Sequence, residues 1–184
     1  MREPLRSPQV RKYVEALSAC NVKFILIGGI AATIHGSARA TYDVDIVYAR
    51  DSDNIRNLVE AIRPYNPYLR GAPPGLPFRW DAETIRRGLN FTLTTDLGDL
   101  DVLGEIVGGG GYEDLLPHAL EEAETFGIPC LFLKLEKLVQ VKRAAGRPKD
   151  LEALAELESI IEERERIMRE TGEFPLPRGE EGQG

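Results

Sequence analysis

"LIGGIAATIHGSARATYDVD" (residues 26–45) packs two adjacent glycines, a histidine, an arginine and two aspartates separated by one residue into twenty positions. Ahead of it, "VKFILI" (22–27) is a short apolar run of the kind that forms a buried strand, and Gly28-Gly29 breaks it. "IAATIH" (30–35) has the length for about one and a half turns of helix, closed by Gly36. "TYDVDIVYA" (41–49) then alternates, so a strand there sets Val44, Ile46 and Tyr48 on one face and Asp43, Asp45 and Val47 on the other. A strand, a short helix and a second strand are predicted, with both aspartates on one face.

The flanking sequence extends this pattern. Ser7-Pro8 caps a first helix with Val10, Val14 and Leu17 on its apolar stripe, and Asp51 to Ile62 carries Ile55, Leu58, Val59 and Ile62 at helical spacing. Between Pro64 and Pro77, five prolines and two glycines predict an extended loop without regular structure that borders the site, followed by a short helix over 81–87. "LNFTLTT" and "DLDVLG" flank Asp96-Leu97-Gly98 as a hairpin, the second strand setting Asp99, Asp101 and Leu103 on one face. Gly108 to Gly111 predicts a flexible break, and 112–119 a helix. "AETF" and "IPCLFL" around Gly127 predict a second hairpin, and helices over 135–145 and 149–170 finish the fold. One unit over about 1–170 is expected, with a core over 20–133, a helical part over 134–170 and a disordered tail over 171–184.

Composition narrows the function classes. The formal net charge of -7 argues against broad nucleic-acid binding, yet residues 134–150 hold six basic residues against two acidic ones. From Leu151 onward, ten glutamates against four arginines predict the solvated face of one long helix. No apolar run reaches the length of a membrane span and no signal peptide opens the chain, so a cytoplasmic protein with no membrane partner is expected. Cys20 and Cys130 read as two buried thiols.

The acids carry the chemistry. Two carboxylates on alternate residues of one strand, joined by Asp101 from a neighbouring strand, repel each other unless a cation sits among them. Mg²⁺ suits such hard oxygen ligands and bridges carboxylates to phosphates, with Mn²⁺ as its substitute. Asp101, or failing it Asp99, is the base or third ligand. Gly28-Gly29 lets the backbone approach a triphosphate at a helix N-terminus, and Arg39 pairs with phosphate oxygens. His35 reads as scaffold.

These residues carry a resemblance. "GGIAATIHGSARATYDVDI" resembles the signature of the DNA polymerase beta-like nucleotidyltransferase superfamily. The form HGxxRxTxDxD is similar to that of its minimal bacterial and archaeal members, including abortive-infection toxins and, more distantly, lincosamide-type antibiotic nucleotidyltransferases. The resemblance implies an α+β nucleotidyltransferase fold, a mixed β-sheet flanked by helices with the C-terminal helices packed against it. It implies Gly28 and Gly29 for NTP phosphates, Asp43 and Asp45 for Mg²⁺, and Asp101 as third acid. "LEKLVQVKRAAGRPKDLEAL" is similar to a later segment of the toxin-like relatives, which picks Lys142, Arg147, Lys149 and Asp150: Lys142 toward the nucleotide and Asp150 toward catalysis. Gly29 stands where many members have serine. The resemblance spans about residues 20–160.

The function expected is Mg²⁺-dependent transfer of a nucleoside monophosphate from an NTP, ATP included, to an acceptor hydroxyl on a protein, a tRNA or a small molecule. The alternatives are a catalytically weak nucleotide-binding regulatory module and a toxin-antitoxin interaction protein, with a cognate antitoxin or a second copy of the chain as partner.

Overall fold

The computed structural model describes residues 8–172; the cap expected at Ser7 and residues 173–184 of the tail expected over 171–184 lie outside them, while Thr171 ends the last helix instead of opening a tail. Helix α1 (Pro8–Ala19) buries Val10, Tyr13, Val14 and Leu17, and β1 (Phe24–Ile27) is buried along its whole length. Helix α2 (Gly28–His35) starts directly at the glycine pair and stops at Gly36, whose φ of 118° suits glycine. Strand β2 (Val44–Tyr48) is followed by α3 (Ser52–Ile62), capped by Asp51, whose side chain accepts from the Asn54 N–H.

Strand β3 (Tyr68–Leu69), α4 (Ala82–Arg87), β4 (Asn90–Thr95) and β5 (Gly98–Leu103) come next. A small ribbon of β6 (Glu105–Ile106) and β7 (Gly110–Gly111) leads to α5 (Tyr112–Leu115). Strands β8 (Ala119–Glu122) and β9 (Cys130–Leu133) precede α6 (Leu135–Ala145) and the long α7 (Pro148–Thr171).

Seven strands form one mixed sheet in the order β3-β4-β5-β2-β1-β9-β8. Strands β2 and β5 run parallel, as do β1 and β9, and the remaining neighbours are antiparallel. The alternation of β2 sorts its side chains as expected. Val44, Ile46 and Tyr48 join the core under α1, α3 and α4, while Val47 joins Ile25, Ile27 and Leu133 under α6 and α7. The fold is therefore a mixed α/β architecture with helices on both faces of the sheet. Leu154 and Leu157 pin α7 to the second face, each buried leucine contributing roughly 1.5–3 kcal/mol.

Three expectations change. The Pro-rich segment is not free of regular structure, because Tyr68 and Leu69 pair with Thr94 and Leu93 and add an edge strand. Edge strands need few backbone hydrogen bonds, so prolines on either side do not prevent one. The partner of β9 is Ala119–Glu122, upstream of the expected "AETF". Two glutamates at its end suit a solvent-facing edge. Gly110 and Gly111, expected in a flexible break, pair with Ile106 and Glu105.

Candidate active site

The backbone ladder brings the acids together. Asp45 stands opposite Ile27 of β1 on one side and opposite Asp101 of β5 on the other. Both side chains point to the α6–α7 face and line one cavity of about 630 Å³. Asp43 lies one residue ahead of β2, outside the ladder, and lines the same cavity, near enough to act on the Asp45 carboxyl. Among the described residues no group of three or more His, Cys, Asp or Glu side chains is arranged to hold a metal ion. The three expected acids thus line one cavity, with Asp45 and Asp101 as ladder partners and Asp43 just ahead of the strand.

Asp99 is not the site acid. It sits two residues before Asp101 and outside the cavity lining, where its Oδ1 accepts from the Thr94 hydroxyl at 2.9 Å and its Oδ2 lies 3.1 Å from Arg70 Nε. Arg70 also donates through Nη2 to Asp101 Oδ1 at 2.7 Å and to the Leu93 carbonyl at 3.1 Å. A single arginine therefore serves both acids of β5.

The glycine pair shapes the floor. Gly28 has φ +62°, and a Cβ there would fall 2.1 Å from Asp45 Oδ2. A Cβ on Gly29 would fall 2.5 Å from Thr41 Oγ1. The absence of side chains lets the Asp45 carboxyl lie against the start of α2, and both glycines line the cavity with their backbone.

The opposite wall is basic. Lys142, at the end of α6, and Arg147 and Lys149, at the start of α7, all line the cavity. Asp150 does so too, but it is 2% exposed and committed: Oδ2 accepts from Arg147 Nε at 2.6 Å and Oδ1 lies 3.6 Å from Lys142 Nζ. Its position in the first turn of α7 favours a carboxylate. Asp150 therefore pairs with two cations of the cavity wall. These two contacts are those of a residue that positions the cations of the wall.

Arg39 lines the cavity mouth and is spoken for as well. Its guanidinium pairs with Glu152 Oε2 at 3.2 Å, with both side chains about half exposed or more. Glu156 accepts from the Ser37 hydroxyl at 2.9 Å and from the Ala38 N–H at 2.6 Å. Two glutamates of α7 thus clasp the loop between α2 and β2. His35 is scaffold: buried, it bonds the Leu133 carbonyl through Nε2 at 2.8 Å, and Arg164 of α7 reaches its Nδ1 and its carbonyl. Burial pulls its pKa down to about 4.

The electrostatics favour a cation. Burial above all, then Asp101 and Asp43, push the Asp45 carboxyl well above the ordinary carboxylate range, while Lys149 opposes the shift. Asp101 lies close enough to Asp45 to raise its pKa by sharing a proton, which is the low-energy state of two carboxyls in contact. Two hard-oxygen side chains beside an open cavity fit Mg²⁺, which binds through one or two carboxylates and completes its shell with water and phosphate oxygens. Bonding to Asp150 raises the pKa of Arg147 further, and Asp45 and Asp101 add to it at longer range.

Sequence reasoning missed Arg70, Glu152, Glu156 and Arg164. Each contact spans at least 31 residues, and no local pattern marks it. No protein-family model matches the chain, and no curated protein matches it in sequence. No described helix is long and apolar enough to cross a membrane.

Proposed function

We propose that this chain has the nucleotidyltransferase fold and transfers a nucleoside monophosphate from an NTP to an acceptor hydroxyl in the cytoplasm. One observation carries the proposal: a single cavity collects the glycine turn, the Asp45–Asp101 pair and a basic wall of Lys142, Arg147 and Lys149. An acid pair facing a basic wall across a cavity of this size suits a phosphate chain whose negative charge is met from one side and whose reacting phosphorus is met from the other.

Each residue has a task in such a reaction. The start of α2, freed of side chains at Gly28 and Gly29, receives phosphate oxygens on its backbone N–H groups. Lys142 and Arg147, held by Asp150, neutralise the leaving pyrophosphate. Asp101 takes the proton of the acceptor hydroxyl, whose oxygen forms the new bond to the α-phosphorus as the bond to the pyrophosphate oxygen breaks. Arg39, released from Glu152, binds phosphate at the mouth. A divalent cation, Mg²⁺ or Mn²⁺, held by Asp45 and Asp101 with Asp43 at the rim, would activate the attacking oxygen and stabilise the leaving group.

The test is thermal stabilisation by each of the four NTPs with Mg²⁺ or Mn²⁺. The wild type gains several °C with at least one NTP, and Asp45→Asn and Asp101→Asn lose the metal-dependent part. Absence of any shift in the wild type rejects the proposal. Binding by the wild type without transfer leaves the regulatory module as the better description.

A further inference from the structure

The Pro-rich segment between α3 and α4 delivers one side chain to the acid pair. Arg70 directly follows β3, and its backbone N–H donates to the Thr92 carbonyl at 2.9 Å, which fixes the chain beside β4 opposite the site. Its guanidinium is divided among three acceptors on two strands: Asp101 Oδ1 and the Leu93 carbonyl through Nη2, with Asp99 Oδ2 facing Nε. Nε is buried and, although 3.1 Å from Asp99, not aligned for a hydrogen bond. The side chain is 29% exposed and Asp101 21%. A lysine ammonium in this place cannot span the same acceptors, because the planar fork presents fixed donors on several sides.

We infer that Arg70 is a positioning residue of this site: the resident counter-ion that orients Asp101 and, by its charge, limits how tightly the acid pair takes a divalent cation. The inference rests on the proposed function. With Oδ1 of Asp101 accepting from Arg70, the carboxylate is fixed in orientation and part of its acceptor capacity is used away from Asp45. The fixed positive charge of Arg70 neutralises part of the charge of Asp99 and Asp101, and it opposes any second cation at the Asp101 carboxylate. Cation affinity is thereby lowered while the geometry of Asp101 is held, as suits a site that must release pyrophosphate after each turnover.

The experiment is Mn²⁺ titration of the full chain, read by the electron paramagnetic resonance of free Mn²⁺, for the wild type, Arg70→Gln and Arg70→Lys. Arg70→Gln lowers the half-saturating Mn²⁺ by about tenfold, since a unit charge a few ångströms away in a partly buried site has a coupling of at least this size. Arg70→Lys keeps the wild-type midpoint within about twofold, because its charge remains. Both variants lower kcat for NMP transfer with little change in the KM for NTP, because Asp101 is no longer held. A purely structural role would lower Tm and leave the Mn²⁺ midpoint where it was, and that result overturns the inference. If Arg70→Gln does not fold, an unchanged kcat in Arg70→Lys overturns it instead. A wild type that takes up no Mn²⁺ rejects the proposed function itself, an outcome distinct from equal midpoints in variants that do bind.

Discussion

Replacing Gly28 with alanine tests the link between the glycine turn and the acids. Two costs add. The left-handed φ of +62° costs an L-residue roughly 1–2 kcal/mol. The new Cβ would also lie 2.1 Å from Asp45 Oδ2 and 2.8 Å from its Cγ, so the carboxyl must move off Asp101. Losing that buried hydrogen bond costs about 1–3 kcal/mol more. The total of about 2–5 kcal/mol predicts a fall in Tm of roughly 5–15 °C for a chain of this size. A double-mutant cycle separates the two costs. In an Asp45→Ala background the carboxyl clash disappears, leaving the backbone cost and a tight contact at 3.1 Å to the Cβ of residue 45, so the interaction energy equals about 1–3 kcal/mol. Urea denaturation of the four proteins measures it. Additivity within about 0.5 kcal/mol would refute the claim that Gly28 is glycine because Asp45 needs its space.

Two further changes probe the scaffold and the basic wall of the site. His35 has an ordinary pKa of 6.5 in the unfolded chain and about 4 in the fold, so the unfolded state binds the extra proton between these values. Its contribution of about 3 kcal/mol is fully present above pH 6.5 and is lost as pH falls toward 4. His35→Gln keeps a donor for the Leu133 carbonyl without a titrating group, and its stability therefore falls less over that window; parallel curves for both proteins would contradict the assignment. Asp150→Asn leaves Lys142 and Arg147 with a neutral partner and costs about 1–3 kcal/mol, moderated by the exposure of Arg147. If Asp150 positions these cations, the variant raises the KM for NTP and leaves the pH dependence of kcat unchanged, whereas a lost acidic limb in that profile would return it to the role of base.

Strand β2 was the most legible element, because a period of two over Val44–Tyr48 has one solution when both faces of the sheet are covered. Its alternation placed Asp45 on the cavity face and allowed Asp101 to be sought on a neighbour. What alternation does not encode is register across strands. Asp43 and Asp45 share a face in sequence, and both line the cavity, but only Asp45 lies within the ladder and stands opposite Asp101. Strand β8 was misplaced because "ALEE" has no apolar alternation; its pairing with β9 comes from backbone hydrogen bonds at a sheet edge, where side chains meet water.

The basic and acidic residues of 134–150 were legible as a group but not as partners. The αL turn at Gly146 folds the start of α7 back on the end of α6, and that reversal brings Asp150 between Lys142 and Arg147. Arg70 was hidden for a different reason. A segment with five prolines carries no periodic signal, and the two-residue strand that fixes Arg70 is specified by β4 rather than by its own sequence.

The most direct measurement of the central claim uses NTPs labelled at the α-phosphate, incubated with the protein, Mg²⁺ and cell extract. Transfer of a nucleoside monophosphate predicts a labelled acceptor from the α-label and none from the γ-label, with labelling abolished by Asp45→Asn and Asp101→Asn. Label from the γ-phosphate alone, or equal labelling by the two variants, would contradict it.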